Sequence, residues 1–298
     1  MKIIYFGNFD QYFKTEMYIT HALRSLGHEV VCLSGKSIKS DSRFVSSLIK
    51  LDADFILFGK TKNPLAGKLI ESLRGIVKTV CWQHDLYAIP PRPNFPPEFS
   101  CDIVFSTDGG KEQRLKDAGV NHHILRQGIH QPDTLEPLEP VTQFEIPILF
   151  IGHPGIEFQR DRGVMIKSLR KQWGDKFRTI NNSRGLDLVK LLRNSGVVVG
   201  DSYSSPNYWS NRIYEVLGRG GFLLHPKTIG LEEEFKDGEH YVSFERGNFN
   251  QLNGLIETYL KDHSERERIR KQGFSYVREN FTYTHRCESL IQTVQKAL

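Results

Sequence analysis

The sequence lacks any paired spacing of cysteines. Its four cysteines, Cys32, Cys81, Cys101 and Cys287, lie far apart along the chain, which argues against a disulfide framework. Three of them lie in or beside apolar segments that read as strands, where a thiol acts as a small hydrophobic side chain. We therefore predict a reducing compartment and a cytoplasmic location.

Long hydrophobic runs are also lacking. The apolar run that opens the chain, residues 1–7, is too short for the core of a signal peptide and far too short to span a bilayer. No other stretch approaches the roughly 20 apolar residues that a membrane-spanning helix needs. The pattern predicts no transmembrane segment and leaves peripheral contact with a membrane open.

Charge of one sign is not concentrated anywhere. Lys and Arg number 40 against 35 Asp and Glu, which gives a formal net charge of +5. This small excess suits an anionic ligand or a membrane surface. It supports nucleic-acid binding only weakly, because nucleic acid draws a concentrated basic face. The most densely charged stretch, 265–271, interleaves both signs and predicts a solvated helix face.

Strand and helix signals alternate along the first half of the chain. The spacing of apolar residues predicts helices between the strands, several of them ended by a glycine such as Gly27 or Gly75. The predicted strands cover 2–7, 29–33, 55–58, 79–82 and 102–106. Near-continuous apolar strands between helices predict a parallel sheet covered on both faces. We assign residues 1–135 to this first domain.

A proline-rich, acidic stretch over 131–147 breaks the alternation, and we place an interdomain linker at 136–147. A second alternating series follows, with predicted strands at 148–152, 177–180, 197–200, 221–225 and 240–244. The predicted fold class is therefore α/β, with two Rossmann-like, doubly wound parallel-sheet domains facing a cleft. The second domain covers 148–283, and residues 284–298 form a C-terminal helix predicted to pack back on the first domain.

The most informative segment is 210–231. Arg212 and Glu215 are three residues apart and share one face of a predicted helix near its start. A carboxylate at that place can accept both hydroxyls of a ribose, and an arginine can form a fork to phosphate. A glycine pair at 220–221 ends the helix. The loop at 228–231 leads into a predicted short helix whose N–H groups suit a diphosphate.

This segment resembles the C-terminal domain of GT-B glycosyltransferases, in particular the group-1-like branch that contains the spore-maturation CgeB-type proteins. The shared pattern is an arginine, two residues and a glutamate at 212–215, a small-residue turn, an apolar strand and a glycine-leucine-glutamate loop at 230–232. The residue succession over 237–286 is also similar to the ends of such enzymes. The resemblance covers 147–298, and in the first half it extends only to the order of strands and helices.

The resemblance implies roles for individual residues. Glu215 would bind the donor ribose, and Arg212 would lie beside the diphosphate or the sugar; the plainer alternative is a surface ion pair of the two. Many group-1 relatives carry a further glutamate eight positions before the ribose-binding one. This sequence has Asn207 there, which can still hydrogen-bond a sugar hydroxyl. The diphosphate would meet the loop formed by Thr228, Ile229, Gly230 and Leu231.

A second strand end carries basic residues. The predicted strand at 148–152 ends in Gly152 and His153, and Arg160 and Arg162 follow before the next helix. In enzymes of the resembled family this strand end faces the donor phosphates, so one of the two arginines is predicted to neutralise the leaving diphosphate. The sequence does not distinguish between them, and either also suits a solvated helix start.

Acceptor-side residues are predicted in the first half. His84 and Asp85 follow the strand at 79–82, which is a suitable place for a general base that deprotonates an acceptor hydroxyl. The alternatives are a histidine bonded to a backbone carbonyl and an aspartate that caps a turn. Four further residues are predicted to face the cleft or, equally, to form turns: Gly7, Asn8, Gly128 and His130.

No metal site is predicted. Asp52 and Asp54 have the spacing seen in metal-dependent sugar transferases, but they precede their strand, whereas a metal-diphosphate pair lies after one. His122 and His123 are adjacent, so they point to opposite sides of a strand. The small molecule predicted by the resemblance is a nucleotide sugar, with UDP favoured and GDP or another base left open.

The leading hypothesis is a metal-independent hexosyl- or pentosyltransferase that uses a nucleoside diphosphate sugar. The acceptor stays open among a glycan, a small molecule, a lipid and a modified base in DNA. Two alternatives are a nucleotide-sugar epimerase of the same fold and a non-catalytic protein that binds nucleotide sugars or glycans. The sequence does not indicate the stereochemical outcome or the oligomeric state.

Overall fold

The computed structural model describes residues 1–84, 95–134, 137–140, 143–154 and 160–298. The chain divides into two compact units. Unit one comprises residues 1–127 and 283–298, and unit two comprises residues 128–282. This division differs in detail from the predicted one, because the stretch 128–135 and the segment predicted as a linker belong to unit two.

Unit one is built on a sheet of six parallel strands in the order β2-β1-β3-β4-β5-β6. The strands are β1 (Lys2–Gly7), β2 (Glu29–Ser34), β3 (Phe55–Phe58), β4 (Lys78–Gln83), β5 (Ile103–Ser106) and β6 (His122–Ile124). Five of them were predicted. Strand β6 was missed because two of its three residues are histidines, which hide its apolar character.

Helices cover both faces of this sheet, as the apolar strands predicted. They are α1 (Thr15–Ser25), α2 (Ser42–Ile49), α3 (Ala66–Leu73), α4 (Glu112–Asp117) and α10 (Tyr283–Gln295). Alternate residues of β1 enter different cores, since Ile3 and Tyr5 pack with α1 and α10 while Ile4 and Phe6 pack with α2 and α3. The last helix of the chain therefore completes the core of the first unit.

Unit two holds a five-stranded parallel sheet in the order β11-β10-β9-β7-β8. The strands are β7 (Ile146–Ile151), β8 (Phe177–Ile180), β9 (Ser195–Val199), β10 (Leu223–Pro226) and β11 (Val242–Phe244). All five coincide with predicted strands to within a few residues. The two doubly wound parallel sheets confirm the predicted fold class.

The helices of unit two are α5 (Arg160–Trp173), α6 (Gly185–Arg193), α7 (Arg212–Gly218), α8 (Phe249–Lys261) and α9 (His263–Asn280). Alternate residues of β7 also pack in two different hydrophobic cores. Ile148 and Phe150 pack in one core, and Leu149 and Ile151 pack in the other. No helix among the described residues combines the length and apolarity needed to cross a membrane.

Two predicted helices are corrected. The helix predicted over 209–217 is α7, which begins only at Arg212. The predicted helix over 231–235 is only a short 3-10 turn, Leu231–Glu233. The Leu231 N–H bonds the Thr228 carbonyl at 3.1 Å, and the chain turns again at Gly238, where φ is +73°. The expected helix N-terminus is therefore not formed here.

Candidate functional site

The carboxyl ends of β7 and β9 form the point in unit two where the strand order reverses. From β7 the chain adds β8 on one side and β9 on the other. Gly152 directly follows β7, and Asp201 and Ser202 follow β9. In doubly wound sheets ligands bind at such a reversal, outside the carboxyl ends of the strands. The structure therefore places the candidate site where the fold provides a crevice.

Arg212 spans this point. Its Nε donates to the Ile151 carbonyl at 2.7 Å, and its Nη1 donates to the Asp201 carbonyl at 2.6 Å. The guanidinium also lies over the Phe150 ring, 5.1 Å from the centroid. Burial lowers the pKa of Arg212 to about 10, with the nearby charge of Arg162 acting in the same direction. At neutral pH the side chain therefore stays charged in a fixed orientation.

Gly152 leaves space for that guanidinium. Its φ is +132°, a conformation that glycine adopts readily and side chains resist. A Cβ at this position would lie 2.6 Å from Arg212 Nη2. Glycine is thus required both by the backbone conformation and by the close approach of Arg212.

Arg162 is held inside the site by Asp201. The Arg162 side chain is 5 % exposed, and its Nε donates to Asp201 Oδ2 at 2.6 Å. Its Nη1 donates to the His153 carbonyl at 3.3 Å. Arg160 begins α5, and its side chain lies outside the described residues. Of the two arginines that the sequence left open, the structure describes only Arg162, and it orients that residue on the strand ends.

Glu215 lies one turn further along α7 and is oriented by another arginine. Its Oε2 accepts from Arg219 Nε at 2.6 Å, and the Glu215 side chain is 18 % exposed. The same guanidinium, 1 % exposed, also contacts Asp133 Oδ2 at 3.4 Å. Arg219 is therefore a buried cation shared by two carboxylates. Glu215 Oε1 makes no hydrogen bond or ion pair within the described part of the chain.

Asn207 contacts the loop at 228–230. The Asn207 N–H donates to the Ile229 carbonyl at 2.8 Å, and its own φ is +53°. Gly230 has a φ of +90°, and a Cβ there would lie 2.0 Å from Asn207 Oδ1. Ile229 is 70 % exposed at the tip of the loop. The structure thus brings together Asn207 and Ile229, which lie 22 positions apart in the sequence.

A hydrogen-bond chain connects this loop to Ser210, two residues before Arg212. The Pro226 carbonyl accepts from Thr228 Oγ1 at 3.1 Å and from His225 Nδ1 at 2.8 Å. His225 Nε2 then accepts from the Ser202 hydroxyl at 3.1 Å, which fixes the tautomer. Ser202 Oγ accepts from the Ser210 N–H at 2.9 Å. Burial lowers the pKa of His225 to about 4, so the ring is neutral at physiological pH.

The residues predicted on the acceptor side are divided between the two units. Gly7 ends β1, and a Cβ there would approach Glu16 Cγ to 2.8 Å. Asn8 is exposed just after it. His84 follows β4, is 7 % exposed, and packs edge-on against Trp82 with its carbonyl bonded by Gln127. Asp85 lies outside the described residues. Gly128 and His130, predicted in the first domain, belong to unit two.

Sequence reasoning missed Asp201, Ser202, His225 and Arg219. Asp201 and Ser202 are polar residues directly after an apolar strand, the same signal that identified the end of β7. His225 lies within a strand and gave no separate signal. Arg219 lies four residues after Glu215, but its second partner, Asp133, is 86 residues away in the sequence. That contact exists only in the folded unit.

Among the described residues no three His, Cys, Asp or Glu side chains lie close enough together to hold a metal ion. Asp52 has a φ of +52° in the turn before β3. His122 Nε2 hydrogen-bonds the Ser106 hydroxyl at 2.8 Å, and His123 packs against Phe105. These two histidines therefore have separate structural contacts.

Residues 134–292 match the family model described as glycosyl transferase-like. No curated protein sequence matches the chain. Solved structures match at low identity across nearly the whole chain, and they agree with the predicted GT-B architecture.

A glycosyltransferase from Rickettsia africae ESF-5 superposes with a TM-score of 0.70 at 12% identity, covering 99% of this chain and 98% of that one. Anabaena Alr3699/HepE in complex with UDP and glucose gives 0.67 at 11% identity, covering 99% and 100%. The apo form of the lipopolysaccharide outer core galactosyltransferase WaaB gives 0.63 at 11% identity, covering 100% of both chains.

Proposed function

Because the chain belongs to the glycosyl transferase-like family, we propose that unit two binds a uridine diphosphate sugar and that the enzyme transfers its sugar to an acceptor. The prediction of a glycosyltransferase from the sequence is confirmed by the family match. The finer assignment to the CgeB-type branch stays a prediction. What we propose beyond the family is the identity of the nucleotide base and the role of each site residue.

The observation that carries the proposal is the orientation of Glu215. Arg219 fixes one carboxylate oxygen at 2.6 Å, and the other oxygen makes no hydrogen bond or ion pair with the described residues. A carboxylate held in this way is preorganised to accept hydrogen bonds from the two hydroxyls of a ribose. Asp133 shares the charge of Arg219, so Glu215 keeps part of its own charge for the ligand.

Arg212 supplies the neighbouring positive charge for the diphosphate. Its Nε and Nη1 are used by backbone carbonyls, while Nη2 faces Gly152 and makes no hydrogen bond within the described residues. The backbone of Gly152 and the loop of Thr228, Ile229, Gly230 and Leu231 complete the proposed phosphate site. As the bond between sugar and diphosphate breaks, a fixed cation at this place stabilises the charge that develops on the leaving group.

Arg162 has an indirect role in this proposal. Its short ion pair with Asp201 is buried, and Asp201 in turn presents its backbone carbonyl to Arg212. Arg162 therefore positions the strand end and adds positive charge near the diphosphate. Asn207, across from Gly230, is proposed to hydrogen-bond the sugar in place of the glutamate that many relatives carry.

Solved structures of similar proteins support uracil as the base. The solved structures of Alr3699/HepE contain UDP, UDP-glucose, or UDP with glucose, and this chain shares their fold. No metal is part of the proposal, since arginine and backbone groups supply the positive potential. We also infer a cytoplasmic location from the free state of all four cysteines.

Acceptor binding is proposed for unit one. Gly7, Asn8 and His84 follow the carboxyl ends of parallel strands, where a doubly wound sheet binds its ligands. Gly128 and His130 lie at the start of unit two and remain proposed contacts of the substrates. Asp85 keeps its predicted role as a base for the acceptor hydroxyl, as a proposal outside the described residues.

The test replaces Glu215 by Gln and measures UDP affinity by calorimetry. We expect UDP to bind about tenfold to one hundredfold more weakly, because a charge-assisted hydrogen bond to the ribose becomes a neutral one. Glu257→Gln is the matched control, since Glu257 also pairs with a cation four residues on, at an exposed place in α8. Unchanged UDP affinity in a folded Glu215→Gln protein would remove the central assignment.

A further inference from the structure

A second feature of unit two lies beside the proposed diphosphate site and has no role so far. It is a cavity of about 330 Å³ at the carboxyl ends of β9, β10 and β11. Its apolar walls come from Met165, Pro226, Phe244 and Phe249, and its charged groups are Asp161, Asp201 and Arg246. The volume lies at the small end of the range for small-molecule sites and holds about ten water molecules. That is close to the heavy-atom count of one hexose.

Arg246 is fixed at the wall of this cavity. Its Nη1 donates to the Ser202 carbonyl at 3.0 Å and lies 3.7 Å from Asp201 Oδ1. Gly247 follows with a φ of +82°, which turns the chain into α8. The side chain is 24 % exposed. Its Nε and Nη2 make no hydrogen bond within the described residues, so two parallel donors remain for a ligand.

Positive charge exceeds negative charge around Asp201. The carboxylate pairs with Arg162 through Oδ2 and lies near Arg246 through Oδ1. Arg212 binds the backbone carbonyl of the same residue. Three guanidinium groups therefore contact Asp201, whose carboxylate is the one buried anion among them, and such a cluster attracts anions. Asp161, at the cavity, is exposed, so solvent and salt screen its opposing charge.

The order of these contacts gives the direction of a bound donor. Glu215 lies one turn into α7, and Arg212 begins that helix. Arg212 bonds the backbone carbonyl of Asp201, and Arg246 lies beside the carboxylate of the same residue. If the ribose binds at Glu215 and the diphosphate at Arg212, the next group of the donor reaches the cavity. That group is the sugar.

We propose that this cavity receives the sugar of the donor and that Arg246 binds a carboxylate on it, so that the donor is a nucleoside diphosphate uronate. The planar donor pair of an arginine matches the two oxygens of a carboxylate, and the apolar walls pack against the ring. The proposal rests on the proposed function, because it uses the same site to define the class of sugar.

The test compares UDP-glucuronate with UDP-glucose, which differ only by a carboxylate in place of a hydroxymethyl group. Calorimetry on the full chain should show UDP-glucuronate binding about tenfold to one hundredfold more tightly, the range for a charge-assisted bidentate contact. In Arg246→Gln the ratio of the two affinities should fall to about one. Arg170→Gln is the matched control, since Arg170 lies at the exposed end of α5 and bonds Thr179, and its ratio should stay at the wild-type value.

Two results overturn the inference while leaving the proposed function in place. They are equal affinities for the two donors, and a preference that persists in Arg246→Gln. Inorganic phosphate binding that depends on Arg246, without any preference for the acidic sugar, would also overturn it. If UDP itself does not bind, the proposed function fails in its choice of base. Glucuronate 1-phosphate and glucose 1-phosphate then replace the pair, and equal or absent binding of these two overturns the inference.

Discussion

Arg212 occupies the space that any side chain at position 152 would need. The distance from Arg212 Nη2 to a Cβ built on Gly152 is 2.6 Å. The two residues lie 60 positions apart, Gly152 directly after β7 and Arg212 at the start of α7. The position of the Arg212 guanidinium therefore depends on residue 152 being a glycine. This contact links the end of a strand to the cation proposed to hold the diphosphate.

Gly152→Ala should weaken UDP binding by about tenfold or more. The added Cβ pushes the guanidinium away from its place over Phe150, and the backbone at φ +132° strains as well. Calorimetry with UDP measures the effect. Gly174→Ala is the control, because its φ is +50° but nothing lies within 4 Å of its Cβ. Equal losses of affinity in both variants would show that Arg212 is not the cause.

Gly230→Ala tests the loop that carries the proposed phosphate contacts. Its Cβ would meet Asn207 Oδ1 at 2.0 Å, so the loop must move and the Asn207 N–H loses the Ile229 carbonyl. We expect a severalfold loss of UDP affinity and a destabilisation of about 1–3 kcal/mol. Gly238→Ala has a similar φ of +73° without a neighbour within 4 Å, and it should lower stability without lowering affinity. A Gly230→Ala protein that binds UDP normally would exclude this loop from the site.

His225 should make stability depend on pH. Its folded pKa of about 4 lies below the ordinary 6.5, so the unfolded chain binds a proton between these values while the folded chain does not. The free energy of unfolding therefore rises with pH across this window, and it falls by roughly 3 kcal/mol as pH drops from 7 to 4. His225→Gln should flatten this slope in urea titrations at several pH values. Burial also lowers the pKa of His122 and His240, which leaves a smaller slope of the same sign.

Asp201→Asn should destabilise the folded protein by about 3 kcal/mol. Arg162 is 5 % exposed and would lose the anion that Asp201 provides, leaving a buried cation without a full partner. The midpoint of urea unfolding measures the change. Asp175→Asn, at an exposed position before β8, should shift it by less than about 0.5 kcal/mol. Equal midpoints for the two variants would mean that the Arg162 pair contributes nothing.

The strands were predictable because each is a local signal. A short apolar run bounded by glycine or polar residues marks a buried parallel strand wherever it occurs, and ten of the described strands showed that pattern. The exception was β6, His122–Ile124, whose two histidines hide the apolar character. The turn at Leu231–Glu233 was predicted as a longer helix, because an acidic run is typical of a first helical turn.

Only the site residues that lie close together in the sequence were predictable. Arg212, Glu215 and the loop at Gly230 are near one another in sequence, so their order indicated a nucleotide. The residues that orient these side chains come from distant parts of the sequence and meet them only in the folded unit. Gly152 reaches Arg212 through the adjacency of β7 and β9, and Asp133 reaches Arg219 across 86 residues. Such contacts have no local pattern, which is why the orienting groups were missed.

The last helix of the chain has a consequence for how the protein is made. Tyr283, Cys287 and Leu290 of α10 are buried in the core of unit one together with Ile3 and Tyr5 from its first strand. A ribosome delivers the residues of unit two before it delivers this helix. The apolar face of unit one that α10 covers therefore stays exposed during synthesis until residues 283–298 have been made. Unit one contains the first strand of the two units, yet its core is completed only after all residues of unit two have been synthesised.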